Sequence, residues 1–358
     1  MNRCQSFHLV RTFRLLFSCL VFFGLTATSP AFGTDAQGEL GMLDSAPRRD
    51  RVHVNLVAAV VWEGSSLRNS DLAALKLLRD KLPDQKFTHF VNPAYFLRDN
   101  EKAGEHSAPP TAKIAATMRP GDGVALHLAP WKSLVSRAGV VFRDGPTFWG
   151  NSLNTRECRR DCGREVPLSI YPPEDVRKIA ATGASTLELF GFGRTQAAQV
   201  SGWMATASVL EQLAAIGYTA DFSSIAPSSV KAILGRFPIY NWISDTWSDD
   251  HPRGISKVIM TPQGAITTHP SSGGIADHHT VKEITAAFEE LISPNSSAPK
   301  SNRYFYLGMH QETASRFADR FALAMESIRA IAASRNVEIT TLVPQGGTIP
   351  TAAMNVSH

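Results

Sequence analysis

Hydrophobic and polar residues follow two alternating patterns along most of the chain. Continuous apolar runs such as VHVNLVAAVV, residues 52–61, are typical of strands that are covered on both faces. Leu72, Leu75 and Leu78 recur instead at helical spacing, which predicts a helix that Ser70 caps and Pro83 ends. The strand pattern returns at 87–91, 124–127, 196–202, 220–224, 257–260, 304–309 and 337–342, and helical spacing fills most of the intervals. Strands in this number, most of them followed by helices, favour a single parallel α/β barrel over a doubly wound sheet.

The pattern breaks down between Lys132 and Ile170, where Gly, Pro, Arg and Cys replace any regular spacing. A connection this long without its own periodicity is usually functional or disordered. It contains Cys158 and Cys162, which in an oxidising compartment are expected to form a small disulfide. A metal site is the weaker interpretation of this pair, because no His or further Cys lies near it in the sequence. We therefore expect an ordered loop or lid, inserted after the third strand.

The first 33 residues differ in composition from the rest of the chain. Arg3, Arg11 and Arg14 precede the apolar run LLFSCLVFFGL, and Ala31 begins a cleavage-site pattern, which together predict a secretory signal peptide. The apolar run is shorter than the ~20 residues of a membrane span, so no stable span is expected after cleavage. We expect a linker at 34–50, a barrel at 51–342, a loose C-terminal tail at 343–358, and a periplasmic or secreted location.

The net charge offers no electrostatic reason to expect a nucleic-acid partner. The formal charge is +4, and removal of the predicted signal peptide with its three arginines and no acidic residue would bring it to +1. Nucleic-acid binding domains are typically strongly basic, so we expect no such partner.

Candidate catalytic side chains stand at the ends of the predicted strands. In the stretch PGDGVALHLAPW, residues 120–131, a turn leads into a short strand that ends at His127. The carboxyl ends of parallel strands in a barrel open on one mouth, so Glu63, His127, the region of Trp203, and His310 are expected to face a common site. Glu63 could instead be a solvated carboxylate paired with Arg68, and the two histidines could be structural.

Several motifs in a fixed order point to a known family. They are VVWEG (60–64), FVNPAYF (90–96), GVALHLAPW (123–131), DCGREVPLS (161–169), VSGWMATASVLEQLAAIGYTADFSS (200–224) and YLGMHQETA (306–314). In this order the chain resembles the polysaccharide deacetylase family, also called NodB-like carbohydrate esterases. The resemblance implies a distorted (β/α) barrel of about seven strands that uses a divalent metal, with zinc the expected ion, to hydrolyse acetyl groups on a polysaccharide or oligosaccharide.

The resemblance also assigns roles to individual residues. Glu63 and His127 would hold the metal, with Glu63 also available as a base, and His310 would protonate the leaving nitrogen or oxygen. Trp131 and Trp203 would contact the sugar. If active, the protein would be a metal-dependent deacetylase, a hydrolase of C–N bonds other than peptide bonds.

The chain departs from the family pattern at chemical positions. Glu63 is the only acid of the first motif, and Trp131, which cannot bind a metal, stands where the second motif has its second histidine. Gln199 begins the motif that usually offers an arginine, and Arg164 and Glu165 replace a His-Asp pair. A second interpretation is therefore a catalytically degenerate barrel that binds carbohydrate without hydrolysis.

Other polar residues are weaker candidates. Glu312 could supply the carboxylate missing from the first motif, and Asp221 could be a buried turn acid or a support for the site. His269, His278 and His279 could suggest a metal site, but a polar surface loop is the favoured interpretation.

Overall fold

A computed structural model describes residues 51–98, 108–156, 158, 161–249, 254–271, 273–296, 298–300 and 303–350. The chain divides into two compact units, Met1–Pro47 and Arg48–His358, and the described residues belong to the second. The predicted signal peptide and the predicted linker at 34–50 lie outside the described residues.

The second unit is built on one curved sheet. The strands are β1 (His53–Trp62), β2 (Thr88–Val91), β3 (Gly123–Leu128), β4 (Ala197–Val200), β5 (Ala220–Ser224), β6 (Lys257–Thr261), β7 (Gly264–Pro270), β8 (Arg303–His310) and β9 (Glu338–Thr341). They are arranged in the order β6-β7-β5-β4-β3-β2-β1-β8, and β9 pairs with the first half of β1. All neighbouring pairs are parallel except the hairpin β6–β7.

A short irregular segment after β7 joins the two ends of the sheet. Ile275 forms a parallel bridge with Gly308 of β8. The backbone N–H groups of Gly273 and Ala276 donate to Tyr306 and Gly308 at 2.9 and 2.8 Å. The seven strands β1 to β5, β7 and β8 therefore form a closed but distorted barrel, which confirms the predicted fold class.

Alternate residues of β1 serve two cores. Val57, Ala59 and Val61 point into the barrel, where they meet Phe90 and Tyr306. The intervening residues of β1 pack outward against the surrounding helices. This double burial explains why the strand is a nearly continuous apolar run, because neither face meets water.

Ten helices accompany these strands within the described residues. They are α1 (Asn69–Lys81), α2 (Ala94–Leu97), α3 (Pro110–Ala115), α4 (Lys132–Arg137), α5 (Pro173–Leu189), α6 (Ala207–Ala215), α7 (Pro227–Leu234), α8 (Pro238–Thr246), α9 (Val281–Ile292) and α10 (Ala314–Ser334). Thr280 and Glu283 form a capping box at the start of α9.

The structure differs from the predicted elements at the start of α1 and at the short helix α4, where the spacing of apolar residues gives little information. The prediction that Ser70 caps α1 is wrong, since Arg68 occupies the cap position and makes no side-chain cap bond. The segment predicted to lack regular structure contains α4, which at six residues is too short to show a helical period. The inserted loop itself follows α4, so its position after the third strand is confirmed.

Part of the predicted loose tail lies against the end of the barrel where the strands β3 and β4 begin. Thr348 N–H donates to the carbonyl of Phe192 at 2.7 Å. An added Cβ on Gly347 would lie 2.3 Å from the carbonyl oxygen of Val124. These contacts involve residues up to 350, and residues 351–358 lie outside the described part.

No helix in the described ranges combines the length and the apolar character that a membrane crossing requires.

Candidate functional site

The carboxyl ends of the barrel strands open into a cavity of about 310 Å³. Its polar walls include Glu63 after β1, His127 of β3, Gln199 of β4 and His310 of β8. Its apolar walls come from Val61, Phe148, Trp149, Trp203, Leu234, Ile239 and Ile275. The strand-end residues that the sequence predicted to share one mouth therefore do so, with Trp203 beside them.

Glu63 is the central polar group of this cavity. Its Oε1 atom lies 3.4 Å from Nε2 of His127 and 3.4 Å from Nε2 of His310. Nδ1 of His127 is buried and makes no hydrogen bond within the described part of the chain. Arg68, the alternative partner suggested by the sequence, pairs instead with Asp71 at 2.7 Å.

His310 is held between two carboxylates. Its Nδ1 bonds to Oδ2 of Asp277, and its backbone N–H donates to the same oxygen at 3.1 Å. Its Nε2 faces Glu63. Asp277 was not identified from the sequence, although the adjacent pair His278 and His279 drew attention to this connection.

The pKa values of Glu63 and His310 are shifted by these contacts. Burial alone would raise the pKa of Glu63, but His127 and His310 outweigh it and hold the pKa of that carboxyl well below its ordinary value. Burial alone would lower the pKa of His310, but Asp277 and Glu63 outweigh it and raise that pKa well above the ordinary value. At neutral pH the cavity thus holds a carboxylate beside an imidazolium.

Trp131 lies behind Glu63 rather than at the cavity wall. It is 5% exposed, and its Nε1–H donates to the backbone carbonyl of Glu63 at 2.7 Å. Gly64 has φ +94°, and an added Cβ there would lie 2.7 Å from the same Nε1 atom. The predicted sugar contact of Trp131 is therefore not found in this arrangement, because the indole is used to hold the end of β1.

Glu312 also reaches the cavity but is fixed to neighbouring loops. Its Oε1 accepts from the Tyr95 hydroxyl and from Ser65 N–H, and Oε2 is buried without a partner within the described residues. Within the described part of the chain it makes no hydrogen bond to the Glu63 side chain, so its predicted role as a substitute carboxylate has no direct geometric support.

The inserted loop covers one side of the cavity. The Phe148 ring packs on Gly202. Within the loop, Phe148 N–H donates to the carbonyl of Glu165 at 2.7 Å, and Ile239 N–H of α8 donates to the carbonyl of Phe148 at 3.1 Å. Trp149 is 44% exposed beside Phe237. Cys158 and Cys162 form the predicted disulfide within this loop. The loop thus adds Phe148 and Trp149 to the cavity wall beside Trp203, one of the two tryptophans that the sequence predicted to contact sugar.

The remaining candidates lie in different places. His269 on β7 stacks against Tyr304, His278 lines the cavity, and His279 bonds to backbone near the start of α9. They do not form one cluster, and the prediction of a common surface loop is wrong because β7 carries the first of them into the barrel. Asp221 is buried and bonded to Ser223, as expected of a buried acid.

The donor set does not fit a catalytic zinc site with three protein ligands. Two ligands bound to one ion at ~2.0–2.2 Å lie roughly 3–4 Å apart, and Glu63 Oε1 lies 3.4 Å from Nε2 of both His127 and His310. The His310 ring is also bonded to Asp277 through Nδ1. Within the described ranges no group of three or more His, Cys, Asp or Glu side chains is arranged to hold an ion.

Comparisons with known proteins found similarity only among solved structures. No protein-family model matches the chain, and no curated protein matches it. A putative polysaccharide deacetylase from Mycobacterium smegmatis is 12% identical with a TM-score of 0.48, covering 82% of this chain and 88% of that one. A family 4 carbohydrate esterase from Streptomyces lividans, in complex with acetate, is 11% identical with a TM-score of 0.39, covering 83% and 97%.

A third solved structure is the chitin deacetylase from the fungal pathogen Colletotrichum lindemuthianum. It is 11% identical with a TM-score of 0.40, and the match covers 81% of this chain and 85% of that one. These three likenesses are distant, and each has a TM-score below 0.5. The three solved structures named above are a putative polysaccharide deacetylase, a carbohydrate esterase and a chitin deacetylase, the class of protein that the sequence motifs of this chain resemble.

Proposed function

We propose that this protein is an exported hydrolase that removes acetyl groups from a polysaccharide or oligosaccharide. The observation that carries the proposal is the contact between Glu63 and His310 in a cavity with aromatic walls, with Asp277 behind the histidine. Acid–base hydrolysis needs one group that accepts a proton from water and one that donates a proton to the leaving group. Glu63 and His310 have these opposite capacities at neutral pH.

The catalytic roles of Glu63 and His310 follow from which of them carries a proton at neutral pH. Glu63 accepts the proton of a water molecule that attacks the acetyl carbonyl. His310 donates its Nε2 proton to the sugar nitrogen or oxygen as the bond to the acetyl carbon breaks, and Asp277 holds the ring in position through Nδ1. Phe148, Trp149 and Trp203 provide flat apolar faces of the kind that pack against sugar rings.

A second candidate is carbohydrate binding without hydrolysis. The observation that favours it is the incomplete donor set, because Trp131 stands beside Glu63 where a further ligand would be needed. In that case Glu63 and His310 serve as hydrogen-bonding partners for sugar hydroxyls, and the aromatic walls provide most of the contact area.

The full chain should be tested for acetate release from a panel of N-acetylated and O-acetylated glycans. If Glu63 and His310 are the base and the acid, Glu63→Gln and His310→Asn each lower the rate by about 100-fold or more. Glu188→Gln, an exposed carboxylate on α5, is the matched control and should leave the rate unchanged. Release that persists in both site variants contradicts the hydrolytic proposal.

Glycan binding measured by calorimetry with the same panel separates the two candidates. Binding by the wild-type chain without acetate release supports the binding protein. A chain that neither binds nor hydrolyses any acetylated glycan contradicts both candidates.

A further inference from the structure

On one side, the Glu63–His127 pair is bordered by an indole that cannot ligate a metal. Trp131 follows β3 and donates its Nε1–H to the backbone carbonyl of Glu63 at 2.7 Å. An indole N–H is a donor without a lone pair, so it offers nothing to a cation. Because this bond fixes the end of β1, the indole is part of the frame that positions Glu63.

The guanidinium of Arg98 lies against the ring of Trp131. Its guanidinium carbon lies 4.3 Å from the centre of the Trp131 ring, which is a cation–π contact. Its Nη1–H donates to the carbonyl of Ser65 at 2.9 Å, and its Nε pairs with Asp161 at 3.2 Å. Asp161 also accepts from the backbone and the hydroxyl of Ser133, so the arginine is anchored at several points.

The anchor of Trp131 is an ion pair, because the carboxylate of Asp161 compensates the guanidinium of Arg98. Trp131 is 5% exposed and the Arg98 side chain is 14% exposed, so this frame is shielded from water. A divalent cation next to Glu63 and His127 would therefore meet an indole without lone pairs on one side and, on another, the His310 ring, whose Nδ1 is already bonded to Asp277.

We infer that the Trp131–Arg98 pair has taken over the place of a metal ligand, and that the Glu63–His127 site neither binds nor requires a divalent cation. The part of this inference that concerns turnover rests on the proposed function. The part that concerns metal binding does not, because it is measured without a substrate.

Metal binding should be measured on the full chain with Zn²⁺ as the probe, by calorimetry and by metal analysis after dialysis. Surface histidines can bind zinc weakly, so the decisive comparison is between wild type and Glu63→Gln or His127→Asn. We expect the three proteins to bind Zn²⁺ equally, within about twofold. One equivalent of metal bound by wild type, and weakened about tenfold or more in either variant, overturns the inference.

A gain-of-binding variant tests the role of Trp131 directly. Trp131→His supplies a third donor at the position from which the indole reaches Glu63, and we expect it to bind Zn²⁺ at least about tenfold more tightly than wild type. Trp131→Phe keeps an aromatic ring without a donor and should gain nothing. Equal zinc affinity of wild type and Trp131→His, lost from both when Glu63→Gln is added, overturns the inference. Circular dichroism and thermal unfolding establish that each variant is folded.

Acetate release with and without a chelator completes the test. Unchanged release after EDTA treatment supports metal-independent turnover, whereas loss on chelation with recovery on added Zn²⁺ overturns it. If no acetylated glycan is hydrolysed, the proposed activity fails, and the zinc comparison still decides whether the site binds a cation.

Discussion

At the scale of single residues, the site is a row of alternating carboxylates and imidazoles. Asp277 contacts His310, His310 contacts Glu63, and Glu63 contacts His127. The raised pKa of His310 places an imidazolium between the carboxylates of Asp277 and Glu63, which reduces the cost of burying these charges. Removal of one member would leave another charge uncompensated, so substitutions here should affect the electrostatics of the whole row.

Sequence could identify three of these four residues and not the fourth. Glu63, His127 and His310 stand at the ends of apolar strands, and the geometry of a parallel barrel brings such ends together. Asp277 lies on an irregular connection, 33 residues before the histidine that it holds. No period marks that connection, so only the closed barrel reveals the contact.

Asp221 is a buried acid away from the cavity, and it should make stability depend on pH. Its Oδ1 accepts from Ser223 at 2.6 Å and its Oδ2 is buried without a partner in the described residues. Burial raises its pKa to about 7, although the bonds from Ser223 oppose the shift. The folded state therefore retains a proton that the unfolded state loses at about pH 4.

Asp221→Asn should remove this pH dependence. In wild type the stabilising effect of the retained proton is full below about pH 4 and is lost as the pH rises to about 7, with a slope of at most about 1.4 kcal/mol per pH unit. The difference in unfolding free energy between wild type and variant should fall over that range and then stay constant. Urea unfolding at a series of pH values measures it, with the exposed Asp84→Asn as control. A difference that does not change with pH contradicts the assignment.

At the scale of elements, the contacts of the inserted loop could not be predicted from the sequence. Its length and its cysteines indicated an ordered lid. The position of the loop over the cavity depends on tertiary contacts, because Phe148 packs on Gly202 and Gly150 lies close to Pro238 of α8. Gly202 has φ +66°, a conformation that favours glycine.

Gly202→Ala should displace the lid. An added Cβ would lie 2.4 Å from Phe148 Cζ, so the ring must move away from the cavity. Gly139→Ala is the matched control, because Gly139 has a similar φ of +68° with nothing within 4 Å of the added Cβ. Both variants carry about 1 kcal/mol of backbone strain, but only Gly202→Ala should weaken glycan binding, by about tenfold. Calorimetry measures the affinity, and equal losses in both variants would show that Phe148 does not hold the binding surface.

At the scale of the whole molecule, the barrel could be predicted and its closure could not. Nearly continuous apolar runs predict a sheet that is buried on both faces, as β1 and β8 are. The segment that completes the ring, residues 273–276, has glycines and no strand pattern. Its pairing with β8 depends on two close backbone approaches, which a sequence period does not encode.

The contact of residues 273–276 with β8 can be tested by substitution of Gly273. Gly273→Ala would place a Cβ 2.3 Å from the carbonyl oxygen of Tyr306, where the Gly273 N–H now donates, so the seam between β7 and β8 should open. Because Asp277 follows this seam directly, its hold on His310 should loosen as well. We expect a loss of roughly 2–4 kcal/mol in unfolding free energy, together with faster hydrogen exchange at Ala276 and Gly308. Gly264→Ala, at the other end of β7 with nothing within 4 Å, pays only backbone strain. If Gly264→Ala speeds exchange at the seam as much as Gly273→Ala does, the ring is not closed by this segment.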